Sequence, residues 1–308
     1  MRTARTVLGL ACILVGAAGA QAQDMEPRAY SASPVGVNFF LVSFSRSTGS
    51  VVFDPALPVS DVSATVGTAV AGLGHTFNLL GKLALISAAT PYAIGRVSGN
   101  VGEDRREVTP SGLADSRVRM SVNLRGNDAL SPREFAAAPR KAVLGASLTM
   151  TLPMSQYSGT KLINIGTNRW SMKPEFGVSV PRGRWDLDGY VGAWIFADNH
   201  DAFPGGAVRS QDPILTLQGH ASYTIRRGFW LAGNATWYRG GSTQTAGGPP
   251  SQSLNNARIG VTTSLPVRKR FTLKVAYTAG VVRRTGSNFR TLSVAWQTVW
   301  LSPRWSGR

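Results

Sequence analysis

One cysteine occurs in 308 residues, and it is Cys12, inside a leading apolar run. A chain without others has no disulfide framework, no thiolate nucleophile and no cysteine metal site. Histidine is scarce too: His75, His200 and His220 stand far apart and form no pair with metal-ligand spacing. Acidic residues are few, 16 against 33 Lys and Arg, for a formal net charge of +17. Beyond the leader, no apolar stretch is long enough for a transmembrane helix. No glycine-rich phosphate loop opens a helix, because Gly240 to Gly248 reads as an exposed loop. These absences exclude thiol chemistry, zinc chemistry, nucleotide cradles and helical membrane spans. No cofactor and no metal are expected.

What is present begins with an export signal. Arg2 and Arg5 precede an apolar run from Val7 to Ala17, and Ala20-Gln21-Ala22 forms an A-x-A cleavage pattern. Residues 1–22 are therefore expected to be removed, taking Cys12 with them. Gly9 stands three residues before Cys12, where a lipoprotein site would carry Leu. Export argues against nucleic acid as the partner of so basic a chain.

The remainder alternates with period 2. Leu292, Val294 and Trp296 oppose Thr291, Ser293, Ala295 and Gln297. Phe271, Leu273, Val275 and Tyr277 oppose Thr272, Lys274, Ala276 and Thr278. Leu144, Leu148 and Met150 oppose Gly145, Ser147 and Thr149. This is the pattern of strands with one apolar and one polar face. About twelve are expected, near 35–45, 63–78, 82–95, 113–124, 141–153, 169–180, 185–198, 213–226, 229–239, 254–266, 271–283 and 289–302. The first three are the least regular.

Connection lengths sort by end. Even-numbered strands are followed by tight turns such as Leu80-Gly81-Lys82, Pro181-Arg182-Gly183-Arg184, Arg226-Arg227-Gly228 and Val267-Arg268-Lys269-Arg270. Odd-numbered ones lead into long polar loops at 46–62, 96–112, 154–168, 199–212 and 240–253. Short turns on one end and long loops on the other describe an all-β, antiparallel, up-and-down transmembrane barrel of the outer membrane, occupying residues 35–308. One connection, 125–140, is long where a turn belongs. Ser131-Pro132-Arg133-Glu134 supplies an N-cap, a first-turn Pro and a capping box, so a short helix over 132–138 is expected.

Aromatic residues gather at strand ends. Trp185, Tyr223, Phe229, Trp230, Phe271 and Trp300 lie by the short turns, and Trp194, Trp237, Tyr238 and Phe289 by the long loops. Two interfacial girdles are expected from them. Lys82, Arg182, Arg184, Arg226, Arg227, Arg268, Lys269 and Arg270 fall at periplasmic turns, where anionic lipid headgroups are the expected partners.

Inside, alternation places Arg117, Arg119, Lys173, Glu175, Asp186, Asp188, Arg258 and Lys274 on the lumen face. Such a set either fills the interior with ion pairs or forms a constriction that selects solutes. His220 and Ser222 share the same face and are the one arrangement suggestive of nucleophilic catalysis. They point away from the bilayer, and no partner Asn is expected near them on that face, so the chain is read as a non-enzyme.

Residues 23–34 are too polar and Pro-broken to span. Glu26, Arg28 and Tyr30 there suit a plug of the lumen, the acidic and basic members toward Arg117, Arg119, Asp186 or Asp188 and Tyr30 against lumen residues.

Several segments carry more than barrel periodicity: Glu26-Pro27-Arg28-Ala29-Tyr30-Ser31, Pro34-Val35-Gly36-Val37-Asn38 and Phe53-Asp54-Pro55-Ala56-Leu57-Pro58. Thr90-Pro91-Tyr92-Ala93, Ala129 to Phe135, Gly166-Thr167-Asn168-Arg169-Trp170 and Lys173-Pro174-Glu175 continue the series. Together they resemble the family named for the MetA pathway of phenol degradation, across nearly all of the exported chain. The end departs from barrel habit, with Trp305 followed by Ser306-Gly307-Arg308. Trp300 and Trp305 remain for the barrel assembly machinery, an expected partner. The resemblance implies an outer-membrane transporter that takes up aromatic or other small hydrophobic solutes. The alternatives are a lipid-modifying hydrolase at His220 and Ser222, or a structural or adhesive barrel acting through its loops.

Overall fold

In a bilayer every backbone N–H and C=O must find a partner within the protein, so strands cross only as a closed sheet. The computed structural model describes residues 25–52, 59–101, 104–161, 163–203, 205–268, 270–282 and 286–302. The expected leader, the Phe53–Pro58 motif, Lys269 and Trp305 lie outside the described residues.

The chain begins with β1 (Val37–Val52), β2 (Val59–Leu79), β3 (Lys82–Val101), β4 (Asp104–Val108), β5 (Ser111–Leu113) and β6 (Ser116–Arg125). Helix α1 (Pro132–Ala137) leads to β7 (Val143–Leu152), β8 (Ser171–Arg182), β9 (Trp185–Phe196), β10 (Asn199–Ala202) and β11 (Ala207–Gln211). Then come β12 (Ile214–Arg226), β13 (Phe229–Gly240), β14 (Thr243–Thr245), β15 (Leu254–Arg268), β16 (Phe271–Val282) and β17 (Gly286–Leu301). Among the described residues β1–β3, β6–β9, β12, β13 and β15–β17 form the wall, twelve strands as expected. All neighbours are antiparallel, and β1 pairs with β17 from Val37↔Leu301 to Val52↔Gly286, which closes the sheet.

Side-chain exposure follows strand parity. On β7, Val143, Gly145, Ser147, Thr149 and Thr151 are buried while Leu144, Leu148 and Met150 are exposed. On β12, Thr216, Gln218, His220 and Ser222 are buried while Leu215 and Leu217 are exposed. Polar inside and apolar outside inverts the soluble pattern and makes the outer band a lipid-facing surface.

At the short-turn end, Leu80 (φ 50°) and Gly81 (φ 81°) form a two-residue turn with both centres left-handed, the geometry that matches strand twist. Helix α1 fills the long connection, with Ser131 accepting from the Glu134 N–H and the Glu134 carboxylate accepting from the Ser131 N–H. Those hydrogen bonds hold the Glu134 carboxyl below its ordinary pKa.

The structure departs from expectation at the outer end. β1 continues through Arg46-Ser47-Thr48-Gly49-Ser50, and β2 and β3 form a tall hairpin extended by β4 and β5. Above the membrane both faces meet water, so the apolar alternation that marks a strand is lost there. β10, β11 and β14 form a separate three-stranded sheet from loops distant in sequence.

The outer aromatic girdle also needs correction. Trp194, Tyr238 and Phe289 are buried and share parity with lumen residues, as does Trp230 at the other end. Trp237 and half-exposed Trp170 lie on the outer side instead. Around the short turns, Trp185 packs on Tyr223 with ring centroids 5.0 Å apart, and Phe271 on Trp296 at 5.5 Å.

Face assignment is testable on one strand. Val294→Arg puts a charge on the lipid face of β17, at a cost of about 2–4 kcal/mol near the midplane, whereas Ser293→Arg points inward. We expect the first to lose heat-modifiable gel mobility and the second to keep it. Equal damage would show the strand misphased.

Candidate functional site

The inner wall has two unlike sides. On β1–β3 it is built largely from Phe39, Leu41, Val70, Gly72, Leu85, Ala89, Pro91 and Ala93. Leu41, Gly72 and Ala89 face each other across registered pairs, and Ala89 is opposite Arg117 on β6. From β6 to β16 the wall is polar. All eight lumen charges expected from sequence lie there on the inner face.

Their grouping is specific. Glu175 accepts from Lys173 at 2.9 Å and from the Gln218 amide at 3.1 Å, with Arg119 at 3.8 Å. Lys173 and Glu175 are both over nine-tenths buried. Arg117 and Lys173 lie over the Trp194 ring at 5.2 and 5.5 Å. Arg258 donates to Thr278 at 3.0 Å and to the Phe289 carbonyl at 3.4 Å. Lys274 sits on the inner face of β16 between Ser264 and Ala295. Asp186 pairs with Arg140 of the long periplasmic connection.

The amino-terminal residues lie against this wall. Val35 and Gly36 donate to the Leu130 and Thr76 carbonyls at 2.9 and 2.8 Å. Buried Tyr30 bonds Ser147 at 2.9 Å and donates to Glu175 at 3.1 Å, and its ring meets Tyr190 edge-on at 5.2 Å. A Cβ on Gly145 or Gly177 would collide with the Tyr30 ring, and those two glycines are opposite each other in register. The Ala29 N–H donates to the Tyr190 hydroxyl at 3.0 Å.

Arg28 adopts φ 65°, a conformation that costs a non-glycine residue about 1–2 kcal/mol and persists only when its surroundings fix it. Here they do. Its backbone N–H donates to Asp188 at 3.1 Å, and its guanidinium pairs with Asp186 at 2.8 Å and donates to Thr224 at 2.7 Å. The same guanidinium lies 4.8 Å over the Trp230 ring. Glu26 is exposed, while Met25 is buried beside Gly260 of β15.

At the outer end, the β7–β8 loop leans across the mouth. Ile163 packs on Val62, Ala64, Val97 and Phe289 of the opposite wall. Thr167 donates from both its N–H and its hydroxyl to Asp115, at 2.8 and 2.7 Å. Asn168 donates to Asn199 at 3.0 Å, and buried Arg169 bonds Gln211 and stacks on Phe196. The Gly166–Trp170 motif is thus a clasp between outer loops.

His220 does have an asparagine partner, contrary to expectation: Asn234 is its registered neighbour on β13, with Nδ1 to Oδ1 at 2.8 Å. Asn234 in turn donates to Thr262 at 2.9 Å. Strand pairing brings in a residue fourteen positions away, which single-strand parity did not reveal. His220 and Ser222 still face inward, screened from bilayer lipid by their own strand. Sequence reasoning also missed Tyr190, Trp230, Arg140 and the Gly145–Gly177 seat. A glycine on the inner face of each of β7 and β8 was readable from parity, but their pairing was not.

A closed barrel with an apolar outer band and this inner wall is a transmembrane protein of the bacterial outer membrane. Residues 45–295 match the family described as the MetA-pathway of phenol degradation, and the chain belongs to that family. Among solved structures it is similar to an outer membrane channel from Pseudomonas putida F1, at 22% identity, covering 89% of this chain and 99% of that one with TM-score 0.73. It is also similar to the β domain of the Bordetella autotransporter BrkA, at 12% identity, covering 86% and 100% with TM-score 0.50. No curated protein matches the chain.

Removing one partner of a buried ion pair leaves the other charge uncompensated, at about 3–5 kcal/mol. Glu175→Gln should therefore lower unfolding stability in detergent by about 3 kcal/mol. Adding Lys173→Met should recover part of that loss. Denaturant titration reads both, and strictly additive losses would show the pair uncoupled.

Proposed function

We propose that the chain is a passive outer-membrane channel for small hydrophobic solutes, aromatic compounds among them. The two-sided lumen carries this reading. A solute with an apolar body can travel along the β1–β3 wall without shedding its hydrophobic contacts. The adjoining Arg119–Glu175–Lys173 band on β6 and β8 offers donors and an acceptor to any polar substituent and sets the polar edge of a constriction.

The family's name refers to phenol degradation and the Pseudomonas putida relative is an outer membrane channel, both in agreement. A barrel route also bypasses the ordered, charged outer leaflet that slows apolar molecules. Exposed Arg182, Arg184, Arg226, Arg227, Arg268 and Arg270 at the short-turn rim suit anionic headgroups of the inner leaflet. Transport is diffusive, because the sequence carries no nucleotide motif.

Ala89→Trp, which projects an indole from the apolar wall into the lumen, is the direct test. Uptake of a small neutral aromatic such as phenol into proteoliposomes should fall several-fold while the gel-shift signature of a folded barrel persists. Unchanged flux in a folded variant would remove the apolar wall from the path.

A further inference from the structure

The outer mouth holds two arginines that take no part in the Arg119–Glu175–Lys173 band. Arg169 stands two residues ahead of β8 and shares parity with Lys173 and Glu175. Arg209 lies on β11, and both are only 5% exposed. Arg169 makes contact with neutral groups: it donates to the Gln211 side-chain carbonyl, and its guanidinium lies 4.6 Å over the Phe196 ring. Its Nη1 is buried without a hydrogen-bond partner. Arg209 and Gln211 are two apart on one face of β11, so a second positive charge faces the first. Burial, and after it the charge of Arg209, lowers the Arg169 pKa to about 10, which leaves the group charged at neutral pH.

The carboxylates that act on Arg169 are already engaged or wet. Asp115 accepts from the Thr167 N–H and hydroxyl at 2.8 and 2.7 Å, and Asp198 is exposed. Asp186 and Asp188 lie toward the short turns, at the far end of β9. A guanidinium taken out of water is costly unless a counter-charge meets it, and a buried N–H without an acceptor adds its own desolvation cost. A carboxylate meets both deficits, because two oxygens match the fork of one guanidinium. Next to Arg169 the wall is apolar and aromatic. Phe196 and Leu254 pack on the buried cluster of Trp194, Ile214 and Tyr238. One step farther in, Arg117 and Lys173 lie over the Trp194 ring.

We propose that the outer mouth is a receptor for aromatic carboxylates. The carboxylate of the solute bonds Arg169 in the field of Arg209, and its ring lies toward the collar of Phe196 and Trp194. A phosphate, free or on a lipid headgroup, would satisfy the arginines but leave the collar without a partner. Arg117 and Lys173 then offer the same pairing of cation and ring at the next level inward. As the substrate class of the channel this rests on the transport reading above, whereas binding at the mouth does not.

Calorimetric titration of the full barrel in a non-ionic detergent tests it, with benzoate as the probe. Benzamide keeps the ring without the charge, and inorganic phosphate keeps the charge without the ring. We expect benzoate to bind saturably and both analogues to bind about tenfold more weakly or worse. Arg169→Gln should weaken benzoate by about tenfold or more, Arg209→Gln by less, and Arg182→Gln at the opposite rim not at all. Gel-shift mobility verifies folding of each variant, and Arg209→Gln carries the test if Arg169→Gln does not assemble. Absence of benzoate binding, or undiminished binding in the folded arginine variants, would overturn the receptor. Phosphate as tight as benzoate would reject the aromatic occupant in favour of a phosphate. Benzoate that binds at Arg169 but does not enter proteoliposomes would keep the receptor and strike the transport reading instead.

Discussion

The requirement that no backbone hydrogen-bonding group remain unpaired in hydrocarbon governs this molecule. An unsatisfied N–H or C=O there costs several kcal/mol, so the sheet has no free edge within the membrane. The β1–β17 seam meets that requirement along the whole of β1. Once the seam is fixed, so is the face of every side chain, because a slip of one residue would exchange lipid and lumen sets. A wall of twelve strands also fixes the interior diameter, small enough that Thr216, Ser222, Thr236 and Thr291 are almost wholly buried within it.

That narrow interior explains how its charges are arranged. Exposed ion pairs contribute little, but an unpaired charge beside a low-dielectric wall is expensive. Glu175 accordingly gathers Lys173, Gln218, Arg119 and Tyr30, and Asp186 gathers Arg28 and Arg140. Three of these partners come from outside the wall strands, Tyr30 and Arg28 from the amino-terminal segment and Arg140 from the periplasmic connection. The buried carboxylate of Asp186 is therefore balanced by residues outside the wall strands, whereas the apolar side of β1–β3 needs no such partner.

The same division decides what was legible in the sequence. β7, β12 and β16 oppose an apolar face to a polar one, so their phase is plain from Leu148 beside Thr149 or Tyr277 beside Thr278. β1–β3 carry Leu41, Val70 and Ala89 inward and Phe44, Leu73 and Ile86 outward. Both faces are apolar, and period 2 fades although the strands are long. The inward turn of Trp194 was available from parity, since it lies an even number of residues from Asp186 and Asp188; proximity to a strand end suggested lipid instead. Pairings such as His220 with Asn234 or Gly145 with Gly177 need a register between strands, which no single strand encodes. The Glu26–Ser31 motif was visible as specific, but the atoms it meets come from five different strands.

The seam joins the earliest strand to the latest, and Tyr30 lies just ahead of the earliest. Contacts of greatest sequence separation carry the largest loop-closure cost, while β7 and β8, which make the slot for Tyr30, pair locally. The finished cylinder therefore holds the residues just ahead of its first strand against strands from the middle of the chain, so its inner end is lined by its own leading segment.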